Sequence, residues 1–126
     1  MNYTDLMKFF GCEPLQEQFP TFSELIDNKL KQVTMQRGVY FVIDETKPAD
    51  PIAYIGMAST SLRSRVRALV NKKDNHKGGS DIWELPHYND LRICWKVNKC
   101  ARDYEAEFIE RFETINSKKP FANKKR

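Results

Sequence analysis

Apolar positions along the chain follow two rhythms, and the change from one to the other lies near residue 37. Before it the spacing is helical. Thr4 is placed to cap a short helix carrying Leu6, Met7, Phe9 and Phe10, stopped around Gly11 and Pro14. Thr21 or Ser23 is placed to cap a second, with Phe22, Leu25, Ile26, Leu30 and Val33 on one face. After residue 37 the β-branched and aromatic residues become contiguous. Gly38-Val39-Tyr40-Phe41-Val42-Ile43 predicts a strand, Asp44–Asp50 with Pro48 a turn, and Ile52-Ala53-Tyr54-Ile55-Gly56 the returning strand of a hairpin. Ser59, Thr60 or Ser61 can cap a helix with Leu62, Val66, Leu69 and Val70 on one stripe. Polar Asn71–Ser80, with Gly78 and Gly79, predicts a loop. Leu91–Val97 alternates as a half-buried third strand, and Ala101–Asn116 is an amphipathic helix that ends before Pro120. The order is a helical extension over 1–36, then β-β-α-β-α over 37–126. It predicts an α+β fold, a small antiparallel sheet flanked by helices.

Composition narrows the setting. The chain has 126 residues, 40% hydrophobic and 12% aromatic, enough for one domain with a buried core. Apolar runs are only a few residues long, so a helical membrane span is excluded, and Met1–Asp5 lacks the build of a signal peptide. Cys12, Cys94 and Cys100 are odd in number and irregularly spaced, which predicts no disulfide framework and a reducing, cytoplasmic setting. Their spacing to His76 and His87 matches no zinc pattern.

Charge changes the picture more. The net charge is +4, yet residues 61–77 alone carry +5, six Lys/Arg against Asp74. Residues 117–126 carry another +5, from Lys118, Lys119, Lys124, Lys125 and Arg126. Two basic segments on a chain otherwise slightly acidic point to a polyanionic partner. Either segment alone reads better as a solvated helix face or a frayed tail; together they make nucleic acid a plausible partner.

The last helix holds the most informative position. Its apolar stripe runs through Ala101, Phe108, Ile109, Phe112 and Ile115, and at 100° per residue Glu105 falls inside that stripe. An ionised carboxylate facing a core is costly unless it is paired or bound to a metal. Periodicity leaves both readings open, a functional carboxylate or a structural ion pair with Arg92 or Arg65. Arg63 and Arg65 border opposite edges of the Leu62–Val66–Leu69 stripe, and the wheel does not choose between them. Tyr40 and Tyr54 read, on their own, as packing residues of the two strands.

Taken together, these segments resemble the GIY-YIG nucleases over residues 37–123. Gly38-Val39-Tyr40 resembles the first signature tripeptide and Tyr54-Ile55-Gly56 the second. Ser61-Leu62-Arg63-Ser64-Arg65-Val66 resembles the helix whose second arginine is catalytic, and Glu105-Ala106-Glu107-Phe108-Ile109 the segment opened by a metal-binding glutamate. Lys119-Pro120-Phe121-Ala122-Asn123 resembles the closing segment whose asparagine supports the site. Three features depart from the pattern. The span from Tyr54 to Arg65 is one residue longer, Met57 stands where many members carry lysine, and Leu69 stands where some carry histidine.

The resemblance implies an endonuclease that hydrolyses DNA phosphodiester bonds with a single Mg²⁺ or Mn²⁺ held by Glu105. It implies Tyr40, Tyr54, Arg65, Glu105 and Asn123 as the catalytic set, with either tyrosine orienting or deprotonating the attacking water. Gly56, Arg63, Arg67, Lys72, Lys73, Lys124 and Lys125 are the candidates for contact with the substrate backbone. A nucleic-acid-binding module without turnover is the alternative, and it accommodates the missing lysine and histidine. An interaction protein with Glu105 in a buried salt bridge is a third reading. Residues 1–36 lie outside the resemblance and are a candidate dimer interface.

Overall fold

Six contiguous β-branched and aromatic positions make β1 (Gly38–Ile43), which is buried along its whole length. That burial follows from its place in the sheet. β2 (Ile52–Ala58) and β3 (Arg92–Val97) pair with it on either side, both antiparallel, so the order is β2-β1-β3. The computed structural model describes residues 19–47, 52–72, 79–116, 120 and 122–123. The first predicted helix, around 4–14, lies outside the described residues, as do His76 and Cys12.

Helices cover both faces of the sheet, as the α+β reading predicts. On one face, Tyr40, Val42, Tyr54, Ala58 and Ile93 pack against α1 (Phe22–Asp27) and α2 (Leu62–Val70). On the other, Val39, Phe41, Ile43, Ile52, Ile55 and Cys94 pack against α4 (Ala101–Asn116) through Ala101, Phe108, Ile109 and Phe112. Phe41 and Phe108 meet edge to face at 5.4 Å, one of the favoured aromatic geometries. The hairpin register slips between Val42 and Ile43, where Val42 faces Tyr54 but Ile43 faces Ile52. Ala53 is the extra residue of this bulge. It lets Ile52 turn to the α4 face while Tyr54 keeps to the other.

Two segments differ from the sequence expectation. Thr21 caps α1 through a capping box, accepting from the Glu24 N–H at 3.1 Å while the Glu24 carboxylate accepts from the Thr21 N–H at 3.2 Å. The helix then stops at Asp27 rather than continuing to Val33. Lys29 and Leu30 turn into the left-handed region (φ 57° and 63°), and the Leu30 N–H closes onto the Leu25 carbonyl at 2.9 Å. Leu30 and Val33 still reach the core, but Ile26 is left exposed. Carbonyls of residues 31–36 accept hydrogen bonds from the first turn of α2, which holds the segment after the helix in place. The second difference is α3 (Gly79–Trp83), a short helix that begins within the predicted loop. Its Trp83 indole donates to the Leu69 carbonyl at 2.7 Å, satisfying one of the open acceptors at the end of α2. A 3-10 turn at Tyr88–Asp90 then leads into β3.

Candidate functional site

Tyr40 and Gly56 face each other across the β1–β2 ladder. A Cβ at Gly56 would lie 2.3 Å from Tyr40 Cζ, 2.4 Å from its hydroxyl and 2.7 Å from Tyr54 Cε2. Only a residue without a side chain leaves room for the Tyr40 phenol to lie across the strand. Gly56, a candidate for substrate contact on the sequence, is therefore accounted for by seating this ring. Tyr54, one residue pair further along the same face, brings its ring to 6.0 Å from Tyr40 at an angle of 45°. Both tyrosines are buried, and Tyr40 completely so.

The third group comes from α2. Ser61 is the cap, its hydroxyl accepting from the Ser64 N–H at 3.3 Å. Val66, Leu69 and Val70 anchor the helix to the sheet, and the half-buried Arg65 acts on the Tyr40 phenol by charge and hydrogen bonding. Arg63 goes elsewhere. Its Nε donates to the Val33 carbonyl at 2.8 Å and its second terminal nitrogen to the Lys31 carbonyl at 3.2 Å. The choice between the two arginines that the helical wheel leaves open is made by the fold: Arg65 acts on Tyr40 and Arg63 holds the 31–33 turn.

The fourth group, Glu105, comes from α4, which packs on β2 and β1. It is 4% exposed among Ala101, Phe108, Ile109 and Phe112, as its place in the apolar stripe requires. Arg92, one of the partners considered for a structural ion pair, pairs with Glu45 and Glu24 and donates to the Phe19 carbonyl. Glu105 and Arg65 both act on the Tyr40 phenol, with opposite sign. Burial pushes the Tyr40 hydroxyl well above its ordinary pKa of 10.0, and the charges of Tyr54 and Glu105 add to that, while Arg65 pulls it down by charge and hydrogen bond. Tyr40 is thus a neutral phenol held beside a guanidinium at neutral pH.

Asn123 closes the free edge of β2. Its side-chain oxygen accepts from the Ile55 N–H at 2.8 Å and its amide nitrogen donates to the Ile55 carbonyl at 2.9 Å. Beside it the Ala122 N–H donates to the Ala53 carbonyl at 2.7 Å. The amide stands in for one residue of a fourth strand, 1% exposed, and pins the strand between Tyr54 and Gly56. Its action on the site runs through that backbone.

Of the basic candidates, Arg67 is exposed on α2 and Lys72 is exposed with its ammonium 4.7 Å from the centre of the Tyr88 ring. Lys73, Lys124 and Lys125 lie outside the described residues. The first-turn N–H groups of α2 are already engaged: Leu62 donates to the Gln36 carbonyl at 2.8 Å and Arg63 to the Thr34 carbonyl at 2.9 Å. An anion would therefore meet side chains on this helix rather than its N-terminus.

One polar cluster escaped the sequence reading. Asp44, buried at the end of β1, accepts from the Thr46 hydroxyl at 2.6 Å and the Thr46 N–H at 3.0 Å, and pairs with His87 at 3.0 Å. Burial alone would raise the Asp44 carboxyl, but the hydrogen bonds from Thr46 and His87 outweigh it and leave the pKa below its ordinary 3.8. Nothing in the spacing of a turn aspartate and a histidine 43 positions later signals this pairing. Among the described residues no group of three or more His, Cys, Asp or Glu side chains could hold a metal ion. A cation at Glu105 would rest on that one hard oxygen donor, with solvent and substrate completing its shell. Comparison of the chain with family models, curated proteins and solved structures gave no match.

Proposed function

We propose that the chain is a metal-dependent phosphodiesterase acting on DNA, with Tyr40, Tyr54, Arg65 and Glu105 as its working groups. One observation carries the reading. The Tyr40 and Tyr54 rings lie 6.0 Å apart, and the buried Tyr40 phenol feels the guanidinium of Arg65 and the carboxylate of Glu105, which supports a shared site. Each of these groups has a task in phosphoryl transfer.

Arg65 is the group for the phosphate. Its guanidinium can donate to a non-bridging oxygen, where charge builds in the transition state. Binding there takes it from Tyr40 in whole or in part. Tyr40, neutral and donating, orients the attacking water or the phosphate, and Tyr54 shares that role from the neighbouring strand. Glu105, buried on α4, offers a hard carboxylate oxygen to Mg²⁺ or Mn²⁺. A divalent cation bound there supplies Lewis-acid stabilisation of the phosphoryl and leaving oxygens. Asn123 keeps Tyr54 and Gly56 in place through Ile55. The basic segments at 61–77 and 117–126 supply phosphate attraction without sequence reading.

The test is incubation of the full chain with supercoiled plasmid at low salt, with Mg²⁺, with Mn²⁺ and with chelator. Nicking that needs metal and disappears in Arg65→Ala supports the reading. Retarded plasmid with no nicks under any condition supports the non-catalytic nucleic-acid module. Neither binding nor nicking leaves the interaction-protein reading.

A further inference from the structure

Arg63 is spent on backbone carbonyls of a segment outside the hairpin and its helices, and that arrangement has a use. Four hydrogen bonds tie the first turn of α2 to residues 31–36. They are the Leu62 N–H to the Gln36 carbonyl (2.8 Å), the Arg63 N–H to the Thr34 carbonyl (2.9 Å), Arg63 Nε to the Val33 carbonyl (2.8 Å) and the Arg63 terminal nitrogen to the Lys31 carbonyl (3.2 Å). The turn they grip is itself fixed. Leu30 and Val33 are buried beneath it, and the left-handed Lys29 and Leu30 turn its carbonyls out of a helical path. An arginine fork is suited to this, because its donors diverge in one plane at fixed angles and cannot be met by a lysine. A lone snorkelling side chain would show one such contact or none.

We propose that Arg63 is a positioning residue, which sets the rotation and axial register of α2 against the 31–36 turn and so the reach of Arg65 to Tyr40. The two arginines lie two residues apart on the same helical turn, so α2 has little freedom to rotate Arg65 while Arg63 stays clamped. The segment before the hairpin is then part of the site's framework rather than an appendage. The description of Arg63 as positioning a catalytic group rests on the reading given under Proposed function; the mechanical coupling does not.

The experiment reads the coupling without needing turnover. The full chain is prepared with isotope-labelled tyrosine rings, and the Tyr40 hydroxyl-bearing carbon is assigned by loss of its resonance in Tyr40→Phe. At neutral pH that resonance reports the guanidinium beside the phenol. Arg65→Ala defines the shift when the guanidinium is gone. The expected result is that Arg63→Ala moves the Tyr40 resonance toward the Arg65→Ala position, and that Arg63→Lys, with one donor nitrogen in place of the two that Arg63 uses, falls between Arg63→Ala and wild type. Lys31→Gln, which changes an exposed side chain of the same turn and leaves its carbonyl, should move nothing. A Tyr40 resonance unchanged in a folded Arg63→Ala overturns the proposal, and so does Arg63→Lys equal to wild type. If Arg63→Ala fails to fold, Arg63→Lys alone decides. Where the wild type nicks plasmid, Arg63→Ala should lower kcat with KM nearly unchanged, by less than Arg65→Ala does. An inactive wild type with the expected shifts removes the nuclease reading and leaves the coupling standing.

Discussion

Replacing Asn123 by alanine tests how the edge of β2 is held. The change strips an acceptor from the Ile55 N–H and a donor from the Ile55 carbonyl, in a place 1% exposed. Alanine leaves both backbone groups without those partners, and a buried polar group stranded in this way costs roughly 1–3 kcal/mol. Two such groups give about 2–6 kcal/mol, with some of the cost recovered if solvent enters the gap. Against the 5–15 kcal/mol typical of a whole domain, that is a large loss for one amide. Asn123→Asp sharpens the test, because it keeps the acceptor but faces the Ile55 carbonyl with a second acceptor. Protonation restores a donor, so burial and that carbonyl should raise the carboxyl above its unfolded value. Stability of Asn123→Asp should then be greatest below the unfolded pKa, near 3.9, and fall as pH rises through the folded one. Equilibrium urea unfolding measures the loss, and hydrogen exchange at the Ile55 amide locates it. Alanine stability within about 0.5 kcal/mol of wild type, with Ile55 still protected, would refute the account of this edge.

Three further outcomes follow from other parts of the molecule. Lys29→Gly should stabilise the protein by about 1 kcal/mol in urea, because an exposed lysine is held at φ 57° where glycine is unstrained; destabilisation would mean the stem contributes packing. Asp44→Asn should be less stable than wild type at neutral pH, with the difference shrinking below about pH 4. The lowered Asp44 pKa gives stability that is present above 3.8 and lost as pH falls through the folded value, so a constant gap across a melt series at pH 2–7 would contradict it. Tyr40→Phe and Tyr54→Phe should both stay folded, and at least one should slow plasmid nicking by about 10²–10⁴-fold; full activity in both would move the base role elsewhere.

Local pattern carried most of the fold and part of the site. Contiguous β-branched and aromatic residues mark Gly38–Ile43 because a central strand is covered on both faces, and the stripe of α4 is strong enough to expose Glu105 as its one misfit. Ser61, Thr21 and Glu24 cap where short polar side chains cap. What the pattern missed depends on partners far away in sequence. Periodicity carries α1 on to Val33, but the chain turns left-handed at Lys29 and Leu30 and the helix ends at Asp27, with the 31–36 carbonyls taken by α2. Arg63 and Arg65 look alike on a wheel and differ only in what the fold sets beside them. Asn123 meets Ile55 across 68 positions, and Asp44 meets His87 across 43. No propensity encodes such meetings.

The central claim is that Glu105 is present for a cation and not for the core. The direct measurement is metal-dependent nicking by wild type and Glu105→Gln side by side, with Mn²⁺ binding followed on the same samples. Glutamine keeps the volume and one oxygen, so a thermal melt will show both proteins folded. The account predicts that wild type binds Mn²⁺ and nicks plasmid only when metal is present, and that Glu105→Gln loses both binding and nicking while still associating with DNA. Glu105→Gln that nicks at the wild-type rate, or wild-type nicking untouched by chelator, would contradict it.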